Sequence, residues 1–165
     1  MNILIEHLIN EEGISRFIKL QEILQGGKLF ENSYYFDDSN KRCVFELERY
    51  FIEKPIKETR FLFFKSYRLG TVRSVLEICP ILEIKETKEG YEDLEIGINK
   101  ERNVLTIGTY RHSFNISVTD KTKVKVYDNG NLETKTRGYF SKKYWVKLKE
   151  KIDYLVSAEV KEQFR

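Results

Sequence analysis

The spacing of apolar residues along this 165-residue chain first has the period of a helix. Over residues 14–24 the apolar positions recur every three to four residues, and Gly26 and Gly27 end the pattern. We therefore predict a helix over about 14–25. A short helix or strand is expected before it, at 3–9.

From Cys43 onward apolar and polar residues alternate, which is the period of a strand half buried in a sheet. The connections between the alternating segments are too short for helices. We therefore expect a largely antiparallel meander of about eight to nine strands. The segments are CVFELERYF, RFLFFKSYR, TVRSVLEI, ILEIKET, DLEIGI, VLTIG, SFNISV, KVKVY and NLETKT.

The final segment, SKKYWVKLKEKIDYLVSAEV, returns to helical spacing. Trp145, Leu148, Ile152 and Leu155 share one face, and Ser141 is a suitable N-cap. The predicted fold class is α+β: a strongly curved, mostly antiparallel sheet with an N-terminal helix and a long C-terminal amphipathic helix. We find no linker, so one domain over residues 1–165 is expected.

The register of the hairpin formed by KVKVY and NLETKT follows from which residues face the core. If Val126 and Leu132 both point inward, they lie opposite each other across a three-residue loop at 128–130. The complete inward set is then Leu94, Ile96, Ile98, Leu105, Ile107, Phe114, Ile116, Val118, Val124, Val126 and Leu132.

In that register the outer face of the hairpin collects positive charge. Lys125 lies opposite Glu133, whereas Lys123 lies opposite Lys135, with Arg137 diagonal to them and no counter-charge between them. A bound anion or an acidic partner would relieve the repulsion, although outward lysines are also ordinary solvated residues. The predicted basic surface comprises Lys123, Lys125, Lys135, Arg137, Lys143 and Lys147.

Aromatic residues concentrate in one part of the chain, since 11 of the 22 lie between residues 30 and 67. Such rings ordinarily fill a core, and otherwise they line a pocket or anchor a partner. Read as one strand, RFLFF has apolar residues on both faces, so another layer or a partner would cover it. The anchor candidates are Phe61, Phe63 and Tyr67.

Composition and charge narrow the class of protein. With 41% apolar and 33% charged residues the chain is globular, and the net charge of +3 arises in residues 101–165, which carry 14 basic and 8 acidic side chains. Two cysteines in strand-like segments, with neither a leader peptide nor an apolar run of membrane-spanning length, indicate a cytoplasmic protein. The single alanine is typical of AT-rich coding, as in a low-GC bacterium or its phage.

Motifs for covalent or cofactor chemistry are absent from the sequence. It has two histidines, His7 and His112, and lacks a local zinc motif, a phosphate loop, a dinucleotide motif and a nucleophile elbow. We expect no cofactor and no metal. The one enzyme pattern is Glu83-Ile84-Lys85, the Glu-x-Lys form of some metal-dependent nucleases, for which Glu77 is the only acidic residue nearby.

These observations favour a non-enzymatic binding protein that acts through protein–protein contacts, such as an inhibitor, an immunity-type protein or a regulatory module. Its expected partner is another protein, and an acidic one if the basic surface functions. Two alternatives remain: a nucleic-acid-binding protein that uses the basic 123–151 surface, and a curved sheet that binds a small ligand. A metal-dependent nuclease is a remote fourth interpretation.

Overall fold

The computed structural model describes residues 2–51, 57–61, 64–88, 94–109, 111–129 and 139–141. These residues form one helix and ten strands. In chain order they are β1 (Asn2–Ile5), α1 (Glu11–Leu24), β2 (Lys28–Asp37), β3 (Arg42–Phe51), β4 (Lys57–Phe61), β5 (Phe64–Arg68), β6 (Gly70–Thr87), β7 (Glu95–Asn99), β8 (Val104–Gly108), β9 (Ser113–Asp128) and β10 (Tyr139–Ser141).

Seven of these strands form a strongly curled antiparallel sheet. Six of them follow one another in the order β2-β3-β6-β9-β8-β7, and the seventh, β1, is a further neighbour of β9. Strand β1 pairs with the C-terminal half of β9, whereas β8 pairs with its N-terminal half. A second, three-stranded sheet has the order β10-β5-β4. The α+β class is confirmed, but the strand order departs from a simple meander because β6 and β9, which are distant in sequence, pair over most of their length.

Helix α1 begins three residues earlier than its apolar spacing predicts. Asn10 caps it, since its side-chain oxygen accepts a hydrogen bond of 2.7 Å from the backbone N–H of Gly13. The helix ends as predicted: Gly26 has a positive φ of 74°, and the N–H of Gly27 donates to the carbonyl of Leu24 at 2.9 Å.

The apolar face of α1 packs on the inner face of the curled sheet, where it contacts β1, β3 and β7. The predicted inward residues from Leu94 to Val126 belong to this core or pack against it, which confirms their assignment. Leu132 lies outside the described residues. The helix side chains in the core are Phe17, Leu20, Ile23 and Leu24.

Strands β6 and β9 each join two segments that the sequence predicted as separate strands, and both strands are interrupted at the same place. In β6 the register shifts on either side of Ile81, next to Pro80, which has no N–H to donate to the ladder. In β9 the buried Thr122 donates to the Pro80 carbonyl at 2.6 Å and accepts from the Thr119 N–H at 2.8 Å. This corner joins the two halves of the curled sheet.

The RFLFF segment is not one strand, so that prediction is wrong. Phe61 ends β4 and pairs with Phe64 at the start of the antiparallel strand β5. Leu62 and Phe63 lie outside the described residues. Neither is one of the Gly, Asn or Asp residues that mark a hairpin in a sequence, so the sequence did not separate the two strands.

The predicted hairpin register is also wrong. From Val124 to Tyr127, strand β9 pairs with β1 on one edge and with β6 on the other. Both edges of β9 are therefore occupied from Val124 to Tyr127, which leaves none for the predicted pairing of Lys125 with Glu133. The segment 131–136 itself and the predicted C-terminal helix after Ser141 lie outside the described residues.

Candidate functional site

Three consecutive aromatic residues on β2 are exposed, although neighbouring aromatics are in the core. Tyr34, Tyr35 and Phe36 are 38%, 56% and 37% exposed, whereas Phe45 on the adjacent strand is fully buried. β2 is the terminal strand of the curled sheet. We call these three residues the β2 aromatic edge.

Strand pairing assigns each residue of the β2 aromatic edge to a face of the sheet. Tyr34 and Phe36 lie opposite the buried Phe45 and Cys43, so they are on the inner face at its rim. Tyr35 lies between them in the chain and is therefore on the outer face. The prediction that these aromatic residues fill the core thus holds for Phe45, whereas Tyr34, Tyr35 and Phe36 are partly exposed.

An irregularity in β2 precedes this edge. The register with β3 shifts between Leu29 and Tyr34, and in the shifted segment Ser33 donates to the carbonyl of Phe30 at 2.7 Å and to that of Glu46 at 3.1 Å. Bulges of this kind redirect side chains and commonly occur at sheet edges. The regular pairing that resumes at Tyr34 places the aromatic residues on the last part of the strand.

The inner rim beside Tyr34 carries polar groups from three distant parts of the chain. The Tyr34 hydroxyl donates to Oε2 of Glu86 at 3.0 Å, and Oε1 of Glu86 lies 2.6 Å from Nδ1 of His112. The hydrogen bond to Glu86, together with burial, raises the pKa of Tyr34. Tyr34, Glu86 and His112 form what we call the rim cluster.

Aromatic packing fixes the rim cluster against the core. The Tyr34 ring centroid is 4.7 Å from that of Phe114, which in turn packs edge-on to Phe45 at 5.2 Å. His112 stacks near Phe114 with 6.5 Å between centroids. Glu86 pairs across the sheet with Phe114 and so lies on the same inner face. The curl of the sheet therefore brings β2 against the far halves of β6 and β9.

The sequence did not identify the rim cluster. His112 lies in the connection before β9, where its carbonyl accepts a hydrogen bond of 2.8 Å from the Thr109 N–H. Tyr34 and Glu86 are 52 residues apart. Neither belongs to a local motif, so only the folded sheet brings them together.

The described part of the predicted basic surface has counter-charges. Lys123 Nζ is 2.8 Å from Oε1 of Glu6, and this pairing lowers the pKa of Glu6. Lys125 lies opposite Glu77 in the neighbouring strand and has its Nζ 4.9 Å from the ring centroid of Tyr127. The prediction that Lys123 has no counter-charge is therefore wrong, because Glu6, which directly follows β1, supplies one.

Of the remaining predicted binding residues, the structure describes only Phe61 and Tyr67. Phe61 and Tyr67 lie on the paired strands β4 and β5, where Tyr67 is flanked by Glu58 and Phe140. Four basic residues and one aromatic residue lie outside the described residues: Lys135, Arg137, Lys143, Lys147 and Phe63.

The nuclease-like pair Glu83 and Lys85 forms an exposed ion pair of 3.1 Å on β6. Both residues are on the opposite face from Ile84, which packs against the core. Among the described residues no group of three or more His, Cys, Asp and Glu side chains could hold a metal ion.

A buried ion pair lies at the other end of the inner face. Arg49, which is 1% exposed, donates two hydrogen bonds to Asp128, from Nε to Oδ1 at 3.0 Å and from a terminal nitrogen to Oδ2 at 2.8 Å. Ser74 donates to the same carboxylate at 2.7 Å. Burial raises the pKa of Asp128, but the charge and hydrogen bonds of Arg49 and Ser74 outweigh it, so the pKa lies below its ordinary value. The pair joins β3, β6 and β9.

Comparison of the chain with protein-family models, with curated proteins and with solved structures finds no match. Among the residues that the structure describes, no helix combines the length and the apolar character that crossing a membrane requires.

Proposed function

We propose that this chain is a non-enzymatic protein-binding module that accepts an extended segment of a partner protein alongside β2. The observation that supports this proposal is the β2 aromatic edge: three consecutive exposed aromatic residues on the terminal strand of a sheet. An inhibitor, an immunity-type protein or a regulatory module would act through such contacts.

Edge strands have backbone N–H and C=O groups that can pair with another chain. Within the described residues no strand pairs with the second edge of β2. A partner segment added there would gain backbone hydrogen bonds from β2 and side-chain contacts from the aromatic rings. Tyrosine and phenylalanine provide large contact areas at small cost in conformational entropy, which suits an interface.

Nucleic-acid binding is less well supported than binding of a protein. Phosphate recognition needs basic side chains that are available to the backbone of the nucleic acid. In the described residues Lys123 is bonded to Glu6, and Lys125 has Glu77 as its cross-strand neighbour. The β2 aromatic edge therefore carries the proposal.

The test is affinity capture from a lysate of the source cells with the wild-type chain and two variants. The first variant combines Tyr35→Ala with Phe36→Ala, which removes two exposed rings from β2. The second, Ile18→Ala, is the matched control, because Ile18 is 52% exposed on helix α1. Thermal melting of all three proteins establishes that they are folded.

The proposal expects proteins that bind the wild type and the Ile18→Ala variant to be lost from the double variant. Loss of fewer than half of the captured proteins from the folded double variant would contradict it. Nuclease treatment of the lysate separates protein contacts from those that pass through co-purifying nucleic acid. A capture that disappears after this treatment would favour nucleic-acid binding instead.

A further inference from the structure

We infer that the segment accepted by β2 carries a lysine or arginine opposite Tyr34 and an apolar residue opposite Phe36. This inference rests on the proposed function and specifies the chemistry of its partner. It reverses the charge expected from the sequence, which pointed to an acidic partner. The reason is that the Glu86 carboxylate, a partly exposed negative charge, accepts a hydrogen bond from Tyr34 of the β2 aromatic edge.

The spacing of the two partner residues follows from strand geometry. Side chains of an added strand alternate between faces, and residues directly opposite have Cβ atoms about 4.5–5.5 Å apart. Two partner residues separated by one position therefore lie beside Tyr34 and Phe36 on the inner face. The residue between them lies beside Tyr35 on the outer face. The pattern is the same for parallel and antiparallel addition.

The distance from β2 to the Glu86 carboxylate determines which charged partner residue can contact it. Glu86 accepts its hydrogen bond from the hydroxyl at the far end of the Tyr34 side chain. A partner side chain opposite Tyr34 must therefore extend along the whole ring to meet the carboxylate. Only lysine and arginine carry a positive charge at the end of a stem of that length.

The Glu86 carboxylate has capacity for this additional contact. It is 39% exposed, and among the described residues each of its oxygens contacts one group, the Tyr34 hydroxyl or Nδ1 of His112. A carboxylate has about four lone-pair positions, so each oxygen can accept a further donor. Lys85, the next residue along β6 towards its N-terminus, is on the opposite face and paired with Glu83.

The aromatic rings add to the attraction for a cation. A cation within about 6 Å of a tyrosine ring is attracted by its π-face. The partner stem would lie along the ring of Tyr34 while its charge meets Glu86. At the neighbouring inner position Phe36 is 37% exposed and lies opposite Cys43, which is buried. An apolar partner residue there would extend the core by covering Phe36.

The test uses a phage-displayed library of random decapeptides selected on the wild-type protein. Sequencing of the selected pool is expected to show a lysine or arginine separated by one residue from an apolar residue. A selected peptide is then titrated against the wild type, Glu86→Gln and the control Glu83→Gln, which removes a carboxylate from the opposite face of the same strand. We expect about a three- to tenfold weaker Kd for Glu86→Gln and little change for Glu83→Gln. The Kd should rise with salt for the wild type and for Glu83→Gln, and much less for Glu86→Gln.

Two results would overturn the inference. The first is a pool that lacks the basic residue or yields no binders, and the second is a Kd that Glu86→Gln leaves unchanged. Titration of the Tyr35→Ala, Phe36→Ala double variant separates the two proposals. Peptides that need the β2 aromatic edge but not Glu86 refute the inference alone, whereas peptides indifferent to the double variant refute the proposed function also.

Discussion

Replacing Arg49 by methionine should destabilise the fold more than any surface charge substitution. The change keeps an apolar stem in the core position but removes the ion pair and both hydrogen bonds that Arg49 makes with the Asp128 carboxylate. Arg49 and Asp128 are 1% and 12% exposed, so water replaces little of the lost interaction. Removal of one partner from a buried ion pair costs about 3–5 kcal/mol, and we expect a loss of that size.

Urea denaturation at neutral pH measures this loss. A shift of the midpoint with an unchanged slope reports a change of stability alone. The matched control is Lys123→Met, which breaks the exposed pair with Glu6 and should shift the midpoint far less than Arg49→Met. Combining Arg49→Met with Asp128→Leu removes both charges. The double variant should lose less than the sum of the single losses, because it removes both charges of the pair together.

The pH dependence gives a second measurement of the same pair. The pKa of Asp128 is lower in the folded protein than its ordinary value. The stability it contributes is therefore complete above the unfolded pKa of about 3.9 and is lost as the pH falls through the lower folded pKa. The difference in stability between the wild type and Asp128→Asn should shrink over that range. Other carboxylates titrate in both proteins and cancel in the difference.

Two results would refute this reasoning. One is an Arg49→Met loss no larger than that of Lys123→Met. The other is a difference between the wild type and Asp128→Asn that stays constant from neutral to acid pH. Either result would mean that the two hydrogen bonds between Arg49 and Asp128 contribute no more to the free energy of unfolding than an exposed ion pair does.

Three further predictions follow from the burial and pairing of other side chains. Phe45→Ala should lower the free energy of unfolding by about 3–5 kcal/mol in the same assay, because its ring is fully buried; a loss below about 1 kcal/mol would contradict its place in the core. Burial raises the pKa of Cys43 to about 12, so a thiol reagent at about pH 8 should modify only the partly exposed Cys79 until the protein unfolds. Equal rates of modification of the two cysteines in the folded protein would contradict this prediction. Lys123→Glu, which the predicted hairpin register would make neutral or stabilising, should instead lower the melting temperature slightly, because it puts a second carboxylate beside Glu6. A higher melting temperature would show that the pair of Lys123 with Glu6 does not stabilise the fold.

Short-range pattern in the sequence determined much of the fold. Helical spacing and the Gly26-Gly27 pair located α1 to within a few residues. Period-two alternation identified the inward residues of β7, β8 and β9. These features depend on the spacing of apolar residues within a single helix or strand. Because the hydrophobic effect buries one face of each element, that spacing can be read from the sequence alone.

Pairing between distant segments was decided only by the tertiary structure. Alternation of apolar and polar residues within 123–127 specifies which residues face inward. It does not specify which strand pairs with this segment, because β1, β6 or a following strand would all fit the same alternation. The edge of β9 opposite β6 was taken by the N-terminal strand β1, and this pairing gave Lys123 an acidic neighbour instead of a basic one.

The candidate site depends on the same long-range geometry. Tyr34, Glu86 and His112 have no common motif, and they meet because the sheet curls until β2 reaches the far halves of β6 and β9. The sequence determined that these strands exist and which of their residues face inward. The curl of the sheet decided which inward residues touch each other. That curl depends on strand twist, bulges and core packing over the whole chain.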